Sequence, residues 1–149
     1  MSNLTVIKNS VIRKGYPELN PKEVGIDYEK TRNKWLLCYC RNHSGFYIRV
    51  NSVMSDAPTR AKAGGIAHEL SHIAAEKTRG KRTLAKSYQL YHSFKIFRDL
   101  EERSIDLDVI LRGFGFGLAE LFEYAKRADI PYAEDMGLSS EEIRALLRL

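Results

Sequence analysis

Residues 64–74 read GGIAHELSHIA, and the motif HExxH occupies the centre of this stretch, from His68 to His72. Histidines with this spacing share one face of a helix, about one turn from each other. Both imidazoles can therefore reach a single Zn²⁺ ion, with Glu69 beside the metal as a general base that takes a proton from metal-activated water. The stretch predicts a buried helix that carries a zinc site.

The residues that flank the motif are uncharged. Ile66, Leu70 and Ile73 form an apolar stripe, which a helix within a protein core needs because an unpaired buried charge is costly. Gly64 and Gly65 each lower helix propensity by about 1 kcal/mol relative to alanine, and we interpret them as points where another backbone comes close. This pattern favours a metal site over two surface histidines on an ordinary helix.

A catalytic zinc site usually has three protein ligands, so a third is expected elsewhere in the chain. Downstream of the motif, Glu102 and Asp106 share a helical face. One of these carboxylates can bind the metal while the other accepts the second N–H of a ligating imidazole. Glu101 competes with Glu102, and only one of the two can face the site because a helix turns about 100° per residue.

We predict that these carboxylates lie on one long helix, from about Leu84 to Arg112. On a continuous helix Tyr91 precedes Glu102 by three turns, on nearly the same face. The Tyr91 hydroxyl, like that of Tyr88, is therefore a candidate catalytic donor to the oxyanion formed during amide hydrolysis. His92 is an alternative third ligand that spacing alone does not separate from Glu102. We favour Glu102 over His92 because only Glu102 has a second carboxylate, Asp106, on the same helical face.

HExxH followed by a helix with ExxxD resembles the gluzincin group of zinc metallopeptidases. The small size and the order of elements resemble the minimal ImmA/IrrE-like domains, and the likeness covers Trp35–Asp106. A histidine third ligand would instead resemble the SprT-like proteases, which act near DNA. The gluzincin resemblance implies that Glu69 is the general base and that Asp106 is an outer acid that orients a ligating histidine. It implies three metal ligands, which are His68, His72 and Glu102.

The remaining segments predict an α+β domain of the minimal zincin-like kind. An N-terminal helix over Ser2–Lys14 precedes a short strand at Val24–Tyr28. Two further strands, Trp35–Cys40 and Phe46–Val50, flank a Gly-containing loop and form a β-hairpin. We expect a small antiparallel sheet, followed by the HExxH helix, the long third-ligand helix and C-terminal helices. The last of these opens at Ser139 with a capping box.

The substrate is expected to lie along this sheet. Extended peptides bind such sites by adding a strand to an exposed sheet edge. The strand nearest in sequence to the HExxH helix runs from Phe46 to Val53, and we predict that it forms the edge of the cleft.

The chain has 149 residues and a formal net charge of +5, which suit one metallopeptidase-like domain spanning residues 1–149. No apolar run is long enough to cross a bilayer, and the first residues do not resemble a secretory signal. Cys38 and Cys40 are too close in sequence to form an unstrained disulfide, which favours a reducing compartment and a cytoplasmic protein. Nothing in the sequence predicts an oligomeric state.

A basic run from Lys77 to Arg82 connects the two predicted metal-bearing helices. Such a run can face nucleic acid, but a solvated turn is its more common role, and the chain lacks a recognisable DNA-binding motif. A protein or peptide substrate is therefore expected, with no membrane partner.

These patterns together predict a zinc-dependent metallopeptidase that hydrolyses a peptide bond, with Zn²⁺ as its cofactor. The first alternative is a zinc-containing regulatory or binding module without hydrolytic activity. Glu69 argues against it, because a structural zinc site has no need of that carboxylate. The second alternative is a DNA-associated protease of the SprT-like kind.

Overall fold

The computed structural model of the protein describes residues 3–30, 35–130 and 136–149. These residues form six α-helices and three β-strands, which confirms the predicted α+β fold. The strands follow the first helix and precede the other five. The elements are α1 (Asn3–Gly15), β1 (Val24–Glu29), β2 (Leu37–Asn42), β3 (Gly45–Asn51), α2 (Thr59–Thr78), α3 (Lys81–Ser93), α4 (Lys95–Leu111), α5 (Gly115–Arg127) and α6 (Ser140–Leu146).

The sheet differs from the prediction in its pairing. Its strand order is β1-β3-β2, with β3 parallel to β1 and antiparallel to β2. The sheet is therefore mixed rather than antiparallel, although the predicted β2–β3 hairpin is present. The prediction that Phe46–Val53 forms the cleft edge is wrong, because β3 is the central strand. Its residues Ile48 and Val50 are almost fully buried, whereas β1 and β2, which have more exposed ends, form the edges.

Helix α2 runs through the core of the molecule. The apolar residues around the motif, Ile66, Leu70 and Ile73, are fully buried. Glycine at position 64 permits this packing, because a Cβ there would overlap the backbone of Gly117 in α5. The interpretation of Gly64 as a point of close backbone approach is thus confirmed. The same interpretation of Gly65 is wrong, because a Cβ there would meet the side chains of Leu37 and Leu121 rather than backbone.

The predicted long helix from Leu84 to Arg112 is wrong, because the chain breaks it at Phe94. This residue has an extended backbone (φ −129°, ψ 114°), so that α3 ends and α4 begins there. Its N–H still donates to the Leu90 carbonyl, and its own carbonyl accepts from the Arg98 N–H. The break therefore costs few hydrogen bonds, and it lets α3 fold back onto α4. Contrary to the prediction, Tyr91 in α3 and Glu102 in α4 therefore do not share the face of one continuous helix.

The last helix closes the fold near α4 and α5. The predicted capping box is present at its start, where Ser139 and Glu142 satisfy each other's backbone N–H groups. Ile143 is fully buried in the core. Within the described ranges, no helix is long and apolar enough to cross a membrane.

The contact between α2 and α5 yields a test of the packing. Gly64→Ala should lower the free energy of unfolding by about 1–3 kcal/mol, because the new methyl group must push against the Gly117 backbone. This outcome opposes helix propensity, which alone would favour alanine by about 1 kcal/mol. Urea denaturation measures the change, and Gly80→Ala at the N-cap of α3, where the methyl group meets open space, is the control for an added methyl group without a clash. A Gly64→Ala protein as stable as the wild type would contradict the described contact.

Candidate metal centre

Helices α2 and α4 bring three side-chain donor atoms together. His68 Nε2 lies 3.2 Å from His72 Nε2 and 3.2 Å from Glu102 Oε2, and the distance from His72 Nε2 to Glu102 Oε2 is 3.3 Å. We call these three residues the donor triad. HExxH spacing places the two histidines on one face of α2, and α4 supplies the carboxylate from across the interface.

The donor triad has the chemistry and spacing of a metal site. Tetrahedral zinc binds nitrogen and oxygen at about 2.0–2.2 Å, which puts neighbouring ligand atoms roughly 3.3–3.6 Å apart. The three donor atoms form a nearly equilateral triangle whose sides of 3.2, 3.2 and 3.3 Å lie at or just below the short end of this range, so one ion can contact all of them after a small outward shift. The triad is also partly sheltered from solvent. His68, His72 and Glu102 could therefore hold a metal ion.

The titration of the triad reflects its close packing. Burial lowers the pKa of His68, but hydrogen bonds with Asp106 and Glu102 outweigh burial and hold this pKa well above its ordinary value. Burial raises the pKa of Glu102, but hydrogen bonds from His68 and His72 outweigh it and bring this pKa well below the usual range. Without a metal, a proton on His68 therefore compensates the buried carboxylates.

Asp106 lies where the helical spacing predicts, one turn beyond Glu102. Its Oδ1 atom is 2.9 Å from His68 Nδ1, and the residue is almost fully buried. A carboxylate at Nδ1 fixes the imidazole with Nδ1 protonated, which leaves Nε2 free to bind a metal. Asp106 thus orients His68 rather than His72. Its second oxygen, Oδ2, accepts the backbone N–H of Leu138 at 2.7 Å.

Glu69 is buried beside the triad but is not one of the donor atoms. Burial raises its pKa, and the backbone N–H of Tyr39 in β2 donates to its carboxylate. Asn51 N donates to Leu36 O in the ladder just before β2. In an antiparallel pair, successive residues point their N–H and C=O groups alternately toward and away from the partner strand. Leu36 points its carbonyl toward β3, so Tyr39, three residues later, points its N–H away from β3. Glu69 therefore lies against the outer edge of β2.

The two rival ligands point elsewhere. Glu101 forms an ion pair with Arg79, at 2.5 Å. His92 is exposed and packs against the rings of Tyr88 and Tyr91. Neither residue contributes a donor atom to the group that the described residues assemble.

Tyr91 reaches the site, although not by the predicted route. The break at Phe94 lets α3 fold back, and the Tyr91 hydroxyl donates to Glu102 Oε1. This is the carboxylate oxygen that the two histidines do not contact. In this arrangement Tyr91 orients a member of the donor triad. Tyr88, its predicted companion, is 71% exposed.

Sequence reasoning missed Tyr39 altogether. Its ring stacks on the His72 imidazole, with centroids 5.6 Å apart and planes inclined by 21°. The alternation of β2 offered one signal, because Leu37 also faces α2, where it lies against Gly65. No spacing rule connects a strand residue to a helix so far along the chain. The contact depends on tertiary packing that local patterns do not encode.

A cavity of about 340 Å³ opens beside His68 and Glu69. Apolar side chains from the start of β2, from α5 and from the stretch before α6 form most of its wall, including Leu37, Leu121 and Met136. A larger cavity of about 530 Å³ lies on the other side of α2 and α4, and no donor-triad residue lines it. The smaller of these two cavities is therefore the one that lies beside the donor triad and Glu69.

No protein-family model, curated protein or solved structure matches the chain.

The geometry distinguishes Glu102 from its neighbour. Glu102→Ala removes a donor atom, so zinc affinity should fall by more than the roughly 10–100-fold that loss of an outer partner costs. Glu101→Ala removes only an ion pair with Arg79 and should leave the affinity within about threefold. Competition against a chromophoric chelator measures both variants. A larger loss of zinc affinity in Glu101→Ala than in Glu102→Ala would show that Glu102 is not the third ligand.

Zinc affinity should also rise with pH. Because the pKa of His68 lies above its ordinary value, the metal-free site holds a proton at neutral pH that zinc must displace. We expect the affinity to increase by about tenfold per pH unit below the raised pKa and to level off above it. The same chelator competition, repeated from about pH 6 to pH 8, measures this slope. A flat profile would show that His68 is already neutral before zinc binds.

Proposed function

We propose that the protein is a zinc-dependent metallopeptidase, similar in chemistry to the gluzincins and in size to the ImmA/IrrE-like domains. The observation that carries this proposal is the placement of Glu69. This buried carboxylate lies between a donor triad suited to zinc and the outer edge of a β-strand. A site that only bound zinc for stability would have no use for it.

Zinc in such a site supplies Lewis acidity, which polarises a carbonyl group and acidifies water. The chain supplies the proton transfers. Burial raises the pKa of Glu69, which makes the carboxylate a stronger base at neutral pH. Glu69 accepts a proton from the attacking water and returns it to the leaving amine. The peptide carbonyl gains a bond to the water oxygen, and the C–N bond then breaks.

The substrate is proposed to bind along β2. This strand is an edge strand, and in the described part of the chain no other strand pairs with its outer side. An extended peptide can pair with outward-facing backbone groups there, which gives affinity with little dependence on sequence. This placement replaces the predicted one on β3, whose edges are both occupied. The Glu69 carboxylate then lies next to the peptide backbone.

The cavity beside His68 and Glu69 supports a preference for substrates with apolar side chains. Leu118, Leu121 and Phe122 of α5 contribute to its wall. A cavity of about 340 Å³ falls within the size range of small-molecule pockets and has room for one large side chain. We propose that it holds an apolar residue next to the bond that is cleaved.

The basic run between α2 and α3 is better explained by packing than by nucleic acid. Lys77 forms an ion pair with Glu23, and Arg79 forms one with Glu101. These pairs connect the end of α2 to the segment before β1 and to α4. The charges are thus partly used within the fold, which favours a peptidase over a DNA-associated protease.

Glu69→Gln separates hydrolysis from metal binding. The variant retains the donor triad, so it should bind zinc as the wild type does, while its turnover of peptides should fall by about 10²–10⁴-fold because the base is lost. Mass spectrometry of a mixture of unstructured peptides detects cleavage, and zinc content is measured in the same samples. Glu120→Gln, which alters a surface ion pair with Arg60, is the control. Undiminished turnover in Glu69→Gln would reject Glu69 as the base.

A wild-type protein that holds one zinc ion but cleaves no peptide in this mixture would contradict the peptidase proposal. It would favour the regulatory or binding module instead.

A further inference from the structure

A hydrogen-bond chain connects the donor triad to the segment that leads into α6. The Leu138 backbone N–H donates to Asp106 Oδ2 at 2.7 Å, and Asp106 Oδ1 lies 2.9 Å from His68 Nδ1. Asp106 is 1% exposed. Two N–H groups, one from a distant stretch of backbone and one from an imidazole, therefore bond to the two oxygens of one buried carboxylate.

The same turn of α4 also anchors this segment. Arg103, the neighbour of Glu102, donates to the Gly137 carbonyl at 3.2 Å. Its guanidinium also contacts both carboxylate oxygens of Glu142, at 2.8 and 3.3 Å. Glu142 is in turn part of the capping box at Ser139. The start of α6 is thus fixed to the turn of α4 that carries Glu102 and Asp106.

Gly137 is required by two independent constraints. Its φ of +81° lies in the left-handed region that favours glycine. In addition, a Cβ at this position would overlap Asp106 Oδ2 and would lie 3.7 Å from the Cβ of Glu102. The backbone at Gly137 therefore packs directly against the carboxylate that orients His68.

We propose that the backbone of residues 137–138 is part of the metal centre: it positions Asp106, and through Asp106 it positions His68. Gly137 and Leu138 are then positioning residues that touch no metal. This inference rests on the metal site of the proposed function, but it does not require peptidase activity.

The proposal has a reciprocal consequence. A buried carboxylate that loses one of its two N–H donors is free to rotate, and the imidazole that it holds loses its fixed orientation. Docking of the segment therefore strengthens metal binding. Because binding free energies are linked, metal binding must strengthen docking of the segment by the same factor.

The first test compares two glycines that share the left-handed backbone. Gly137→Ala and Gly113→Ala carry similar backbone strain, since φ is +81° at Gly137 and +86° at Gly113. A Cβ at Gly113 meets open space, whereas one at Gly137 meets Asp106. We expect zinc affinity, measured by chelator competition, to fall by about tenfold or more in Gly137→Ala and by less than about twofold in Gly113→Ala.

The second test asks whether Gly137 acts through Asp106. In a background of Asp106→Ala, the change Gly137→Ala should lower zinc affinity little further, because the group on which it acts is gone. Additive losses would mean that Gly137 influences the site by general destabilisation, and they would overturn the proposal.

The third test uses the wild-type protein and so does not depend on a folded variant. Hydrogen exchange of the Leu138 amide is measured with and without zinc. We expect slower exchange with zinc, because the metal fixes His68 and Asp106 and thereby the acceptor of this N–H. Unchanged exchange at Leu138 in a zinc-loaded protein would overturn the proposal.

The outcomes separate this inference from the proposed function. If the wild type binds zinc but Gly137→Ala and Gly113→Ala have equal affinities, the role of residues 137–138 is rejected and the metal site stands. If the wild type binds no zinc, the metal site itself is rejected.

Discussion

The two buried carboxylates of α4 dictate how α4 packs against α2. Glu102 and Asp106 are 7% and 1% exposed, and a carboxylate taken out of water must be paired. The imidazoles of α2 satisfy this need, with His68 contacting both acids and His72 contacting Glu102. These four side chains therefore fix the separation and the rotation of the two helices. The arrangement that neutralises the acids is the same one that brings three donor atoms to a common point.

The remaining elements hold this helix pair in place and leave a cavity beside it. Helix α5 packs against α2 so closely that only glycine fits at position 64. The sheet presents β2 to α2, where Tyr39 stacks on His72 and its backbone N–H meets Glu69. Helix α3 returns over α4 to bring Tyr91 to Glu102. The donor triad is thereby enclosed on several sides, with an apolar cavity beside it and with the outer edge of β2 unpaired among the described residues.

Local periodicity explains which parts of this arrangement could be predicted. The pairs His68–His72 and Glu102–Asp106 each lie within one helix, and spacing alone puts the members of a pair on a common face. The β2–β3 hairpin is likewise a local feature. Strand order is not a local feature. The parallel pairing of β1 with β3 joins distant residues, and nothing in the sequence of the connecting segment indicates it. The break at Phe94 lacks the usual signal of proline or glycine, and the contacts of Tyr39 and Leu138 join residues far apart in sequence.

Binding of one metal ion by the donor triad is tested directly by measuring metal content. Purified protein is loaded with zinc, desalted and analysed for bound metal, alongside His72→Ala treated in the same way. His72→Ala removes one of three donor atoms and retains the helix. We expect one zinc ion per wild-type chain and its loss in the variant. Wild-type protein without stoichiometric zinc, or a variant that holds as much zinc as the wild type, would contradict it.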